Sequence, residues 1–219
     1  MSAIRIVCAG DSLTYGHESS DPLTKSYPAR MIELLGNGFE IVNAGHNGAT
    51  MLGSHEGAND RSYRETLAWK KSVSQPADLV ILLLGANDAN PTVGLAAKNG
   101  GLFDDHLAAL YCQDAKAFID DYRLKCCCHQ IWFCLSTPLY RQVGSLYDAH
   151  YIQCFQQNLS LLRVLQRQIA EQSGCDLIDT FTPMQHPEWY ADGLHLTDTG
   201  HLSLARVFTN RIAQVTNWK

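Results

Sequence analysis

Four short segments, scattered along the 219-residue chain, hold the residue types needed to move an acyl group. The first ends the run Ile4-Arg5-Ile6-Val7-Cys8-Ala9-Gly10-Asp11-Ser12. It leaves a serine in a tight Gly-Asp turn beyond an apolar strand, where ligands of open parallel sheets bind and where a nucleophile would sit. A serine in that place can equally cap the next helix. The second segment is Asp192-Gly193-Leu194-His195. An aspartate three residues before a histidine, across a glycine turn, can bring its carboxylate to Nδ1 and leave Nε2 for a serine hydroxyl. The bland reading is a solvated loop pair, or a helix capped by Asp198 with His195 incidental. The last two segments are Asn43-Ala44-Gly45-His46-Asn47-Gly48 and Gly85-Ala86-Asn87-Asp88. A glycine lets a backbone N–H come close to a ligand, and an asparagine amide is a second donor. With the Ser12 N–H, Gly48 and Asn87 would make a three-donor oxyanion hole, although Gly-Asn-Asp sequences also make ordinary turns.

To act together these segments must be carried to one place, and the hydrophobic pattern provides the means. Short apolar runs at Ile4–Cys8, Glu40–Asn43, Leu79–Leu84, Ile131–Leu135 and Asp176–Ile178 read as strands. Helical patterns occupy Pro28–Leu35, Arg61–Val73, Asp104–Leu124, Asp148–Ser173 and Asp198–Val215, several opened by an acidic residue or a proline. Continuous apolar strands alternating with helices predict a five-stranded parallel sheet covered on both faces, a three-layer α/β/α sandwich. The loops Gly16–Ser26, Ala44–Asp60, Ala86–Gly101 and Thr137–Tyr147 all follow strands and should gather on one edge of that sheet. No repeat or linker divides the sequence, so residues 1–219 are expected to form a single domain.

Composition narrows the partners. With 46% hydrophobic residues the chain can build a sizeable core, and a net charge of −5 without a Lys/Arg block argues against nucleic acid or an anionic membrane as partner. No apolar run approaches the roughly 20 residues of a spanning helix, and Met1-Ser2-Ala3 leads directly into the first strand, so a cytoplasmic location without membrane insertion is expected. Nothing specifies an oligomer. The 8 cysteines read as buried thiols, not as a disulfide framework or a zinc site. GxSxG, P-loop, GxGxxG and HExxH motifs are missing, which leaves α/β-hydrolase, nucleotide and zinc-protease chemistry without carriers. Asp192, His195, Asp198 and His201 could crowd a metal, but His201 is expected among the surroundings of the last helix. No metal or cofactor is assigned.

Together the four blocks resemble the SGNH or GDSL hydrolases, in that family's order, from the first strand to the last helix. The resemblance implies a flavodoxin-like sandwich with Ser12 as nucleophile, His195 as general base and Asp192 as its orienting carboxylate. It also implies an oxyanion hole formed by the Ser12 N–H, the Gly48 N–H and the Asn87 side chain, Gly48 being preferred to Gly45 by its spacing from Asn43. Ala9 departs from the bulkier residue often found before the motif. The segments Gly16–Tyr27, Thr50–Asp60 and His186–Trp189 look similar to members that remove acetyl groups from sugars, so a small-acyl esterase acting on carbohydrate O-acetyl groups is expected. The alternative is an acyl-CoA thioesterase or lysophospholipase-like acylhydrolase for longer chains; a protein that keeps the fold without hydrolysis is the reading from a different class. Trp189 and Tyr190 are placed either in the acyl pocket wall or beneath the loop.

Overall fold

The computed structural model describes residues 3–55, 59–141 and 148–215. Its strands β1 (Ile4–Gly10), β2 (Phe39–Gly45), β3 (Leu79–Leu83), β4 (Gln130–Cys134) and β5 (Asp176–Ile178) form one parallel sheet in the order β2-β1-β3-β4-β5. Gly10, the last residue of β1, lies opposite both Gly45 of β2 and Leu83 of β3. This is the flavodoxin-like strand order, and the chain reverses direction across the sheet between β1 and β3, where ligands bind in such folds.

The helices are α1 (Ser12–Tyr15), α2 (Pro22–Lys25), α3 (Tyr27–Leu35), α4 (Leu67–Ser72), α5 (Ala86–Ala89), α6 (Gly94–Lys98), α7 (Asp105–Lys125), α8 (Ala149–Ser173) and α9 (Asp198–Gln214). Side chains of a strand alternate between faces, and here both faces are apolar. Ile6, Cys8, Leu79, Ile81, Leu83, Trp132 and Cys134 pack with Met31 of α3 and Leu204 and Phe208 of α9. Val7, Ala9, Val80, Leu82, Ile131 and Phe133 pack with Trp69 of α4, Phe118 of α7 and Leu162 of α8. The predicted three-layer sandwich is therefore observed, and the apolar continuity of the strands is its cause.

Local differences have local reasons. The helix expected over Arg61–Val73 is confined to α4, after a 3-10 turn at Tyr63–Glu65. Residues 61–62 are held extended by Thr50, which donates its N–H to the Arg61 carbonyl and accepts from the Tyr63 N–H. Thr66 then starts the helix, its hydroxyl accepting from the Trp69 N–H at 3.0 Å. The loop expected over Gly16–Ser26 contains α2, capped by Asp21, and the loop over Ala86–Gly101 contains α5 and α6. Residues 142–147 of the Thr137–Tyr147 loop lie outside the described residues. Cys8, Cys126, Cys128 and Cys134 are buried as expected, whereas Cys127 is exposed at a turn with φ +49° and Cys112, Cys154 and Cys175 are half-buried. Among the described residues no helix is long and apolar enough to cross a membrane.

Candidate active site

The turn after β1 is built for close approach. A Cβ on Gly10 would run into Thr14 Oγ1 and the Leu83 carbonyl, so only glycine lets α1 fold back directly on the strand end. Asp11 caps α1, its carboxylate accepting from the Leu13 N–H at 3.0 Å. That leaves Ser12 as the first helical residue, almost fully buried but lining a cavity. Burial, outweighing the Leu13 hydrogen bond and the nearby His195, pushes the Asp11 carboxyl up to about 6.

Asp192 and His195 reach the same point from the other end of the chain. Tyr190 bridges Leu196, and the Ala191 N–H donates to the His195 carbonyl at 2.8 Å, so residues 190–196 fold back as a tight turn. Within it Asp192 Oδ1 accepts from the backbone N–H groups of His195 at 2.7 Å and Leu194 at 2.9 Å. Asp192 Oδ2 faces His195 Nδ1 at 2.6 Å, and His195 Nε2 lies 3.1 Å from Ser12 Oγ. Burial works to raise the Asp192 carboxyl, but the hydrogen bonds from the His195 ring, the His195 backbone and the Leu194 N–H hold it down at about 2. It is therefore ionised at any ordinary pH and fixes the proton of the neutral imidazole on Nδ1. Asp198 does not cap α9. Thr197 does, and the Asp198 carboxylate instead accepts from the Ser20 N–H at 2.8 Å and hydroxyl at 2.6 Å, tying the loop after α1 to α9.

Gly48 and Asn87 line the same cavity as Ser12 and His195. Gly48 has φ +77°, a left-handed conformation natural to glycine. The Asn87 amide donates one hydrogen to the Ala49 carbonyl at 3.0 Å, which fixes its plane and leaves the second N–H available. Asp88, next in the chain, is buried and accepts from the N–H groups of Met51 at 2.9 Å and Leu52 at 2.8 Å. Burial outweighs those bonds and pushes its carboxyl up to about 7. Asn87 and Asp88 thus lock the loop that carries Gly48, a pinning role that the sequence reading missed although the Asn-Asp pair was its visible sign.

The cavity holds about 230 Å³ and has two kinds of wall. His17, Asn47, Asn87 and Asn90 make the polar side; Leu139, Ile152, Phe155 and Leu194 make the apolar side. His17 stands edge-on to His195 with ring centres 4.5 Å apart, and the Tyr151 hydroxyl donates to Asn90 Oδ1 at 3.0 Å. Apart from Asn87, none of these wall residues is given a role in the site by the sequence: His17 lies in the loop after α1, and Tyr151, Ile152 and Phe155 lie on α8, a helix that also covers the sheet. Of the two placements considered for Trp189 and Tyr190, the structure has them packed beneath the loop. Tyr190 is buried with its hydroxyl donating to the Met184 carbonyl, and Trp189 stacks on His186. His201 is buried in α9, as expected, and burial above all pulls it down to about 4.

A flavodoxin-like sheet with a Ser-His-Asp hydrogen-bond chain at its topological switch point defines a narrow class of proteins. Residues 8–202 match the GDSL-like lipase/acylhydrolase family, and the chain belongs to that family. An acetylxylan esterase of Xylanibacter ruminicola is 35% identical over 89 residues, which is 41% of this chain and only 18% of that relative's length. The native M. smegmatis aryl esterase superimposes with a TM-score of 0.72 at 18% identity, covering 97% of this chain and 99% of its own. A carbohydrate acetylesterase family member from Sinorhizobium meliloti gives 0.70 at 20% identity, over 96% and 98% of the two chains. At such identities the two structures establish the shared fold.

Proposed function

We propose that residues 1–219 work as one serine ester hydrolase domain that removes small acyl groups, acetyl above all, from carbohydrate-type alcohols. The observation that carries this is the unbroken chain Asp192 Oδ2, His195 Nδ1, His195 Nε2, Ser12 Oγ, with links of 2.6 and 3.1 Å, opening into a small cavity. His195 Nε2 takes the Ser12 proton as Oγ attacks the ester carbonyl, and Asp192 stabilises the imidazolium that forms. The oxyanion meets the Ser12 and Gly48 N–H groups and the free N–H of Asn87, donors fixed before the charge arrives. The alcohol leaves with the proton from His195, and water repeats the sequence on the acyl-enzyme. No cofactor or metal enters these steps.

The small acyl group follows from volume. The apolar wall of Leu139, Ile152 and Phe155 would welcome methylenes, but about 230 Å³ falls below the roughly 300–1,000 Å³ of sites for drug-sized ligands. The acetylxylan esterase relative supports a sugar alcohol. The expected profile on p-nitrophenyl esters is fastest with acetate or propionate and falls sharply by octanoate, with acetylated sugars turned over. An open apolar groove would instead gain about 0.8 kcal/mol per buried methylene. Fastest turnover of octanoate, with acetylated sugars inert, replaces this reading by the thioesterase or lysophospholipase one; no ester hydrolysis at all points to a binding or transferase protein.

A further inference from the structure

A cavity of this size houses the acyl group and leaves a large alcohol to lie outside it. Two hollows adjoin it. One shares Asn47 and Gly48 with it, holds about 470 Å³, and is lined by Asp60, Arg61, Ser62 and Glu65. The other shares Leu139, holds about 320 Å³, and contains Arg163. Their cations differ in what they are free to do. Arg163 donates to the Ser136 and Thr137 carbonyls at 2.8 and 2.9 Å and lies over the Phe181 ring. The Arg61 guanidinium is exposed, and Nη1 stands 2.7 Å from the point where a Cβ of Gly48 would be. Arg61 takes part in no ion pair among the described residues.

The hollow at Arg61 also leads onward. Through His46 and Leu67 it joins a third, of about 650 Å³, bordered by Tyr15, Asp21, Leu23 and Lys71. Donors and acceptors of both signs stand near Gly48, while further out the exposed Tyr15, Leu23 and Leu67 offer apolar surface. Alternating charged hydrogen-bonding groups and apolar faces suit a pyranose chain, whose hydroxyls point outward around an apolar ring face. The Ser62 hydroxyl, buried in the floor, has no hydrogen-bond partner among the described residues, a condition that calls for an explanation in a native site.

We infer that this run of hollows is the alcohol-side subsite, that its ligand is an oligomeric, uncharged polyol such as an oligosaccharide, and that Arg61 beside Gly48 is its specificity-determining residue. The inference rests on the ester-hydrolase reading above. The test compares kcat/KM for acetylated xylotetraose, acetylated xylose and p-nitrophenyl acetate, in the wild type and in Arg61→Ala, Leu67→Ser and Arg61→Lys. Both mutated side chains are exposed, and thermal melts confirm folding. The wild type should favour the tetraose ester over the monosaccharide ester at least about ten-fold, as an extended subsite requires. Arg61→Ala should remove most of that ratio by raising KM for the tetraose ester, Leu67→Ser should remove part of it, and Arg61→Lys, a charge without the planar fork, should restore little. A wild-type ratio within about two-fold, or a ratio untouched by Arg61→Ala, overturns the inference. So does an equal fall in kcat on all three esters, which would make Arg61 an electrostatic aid to the oxyanion. Turnover of p-nitrophenyl acetate by the wild type keeps the ester-hydrolase reading standing in each case, and its absence alone removes that reading.

Discussion

Replacing Asp192 by asparagine isolates one proton, and the geometry sets its cost. The aspartate uses its two oxygens differently: Oδ1 accepts two backbone N–H groups of its own turn, and Oδ2 accepts the imidazole. An asparagine that keeps its oxygen toward the backbone presents NH2 to His195 Nδ1, which must then be the bare nitrogen. Nε2 carries the hydrogen in that tautomer and cannot take the Ser12 proton. The flipped amide satisfies the imidazole but sets NH2 against two N–H groups, leaving them unpaired at about 1–3 kcal/mol each. The first arrangement therefore prevails, and the expected loss in kcat approaches the roughly 10⁴-fold known for this exchange in other serine hydrolases, about 5 kcal/mol. The Asp192 side chain retains 46% of its exposure, so water reaches the pair and the loss is set between about 10² and 10⁴, with KM little changed. Steady-state hydrolysis of p-nitrophenyl acetate measures it, with circular dichroism to verify the fold. A folded Asp192→Asn enzyme within ten-fold of the wild-type kcat would refute the tautomer argument.

Ser12→Ala removes the attacking oxygen from a turn and almost no core volume, so activity should fall by about 10⁴-fold or more with Tm unchanged; near wild-type turnover in the purified variant rejects Ser12 as nucleophile. Asn87→Ala should lower kcat about 10²-fold or more with little effect on KM, because the second N–H binds charge present only in the transition state; a higher KM at unchanged kcat would make Asn87 a ground-state contact. His201, held down to about 4 by burial, stays neutral in the folded protein while an unfolded histidine takes a proton below about 6.5. Its contribution to stability is therefore complete above about 6.5 and is lost as pH falls toward 4, by an amount on the order of 3 kcal/mol. The melting-temperature difference between wild type and His201→Leu should accordingly drift toward the variant over that interval, and a constant difference would show that His201 is not buried neutral.

The order of the layers was legible in the sequence because the strand runs are predominantly apolar on both faces, with polar residues such as Arg5, Glu40, Gln130 and Asp176 confined to their outer parts, whereas the helices alternate polar and apolar positions. The candidate triad was legible because its acid and base are neighbours in sequence and its serine sits at a strand end. Asp192 and His195 are three residues apart in one turn, and Ser12 directly follows the strand that positions it. Helix boundaries failed where a distant partner decides: nothing within Arg61–Val73 reveals that Thr50 holds residues 61–62 extended. The apolar wall failed for the same reason. Ile152 and Phe155 sit on α8 among residues that cover the sheet, and only the packing of that helix places them in the cavity with Ser12.

That division bears on where specificity resides. The loops after β1, β2 and β3 are rich in Gly, Asn, Ser and His, yet one side of the cavity is aliphatic and aromatic. The proposed preference for short acyl groups would therefore come from closure, not from polarity. Phe155 is the residue to examine, because it is fully buried and its ring is held edge-on by Tyr151 at 5.9 Å. Phe155→Ala opens space on the apolar side without touching Ser12, His195 or the oxyanion donors. Each methylene then accommodated is worth about 0.8 kcal/mol, close to four-fold in kcat/KM. The preference should move from acetate toward butyrate or hexanoate, at a stability cost of about 3–5 kcal/mol for a buried aromatic. Profiles measured below the variant's melting point decide the matter. A folded Phe155→Ala enzyme that still prefers acetate as strongly as the wild type would show that the wall does not set acyl length.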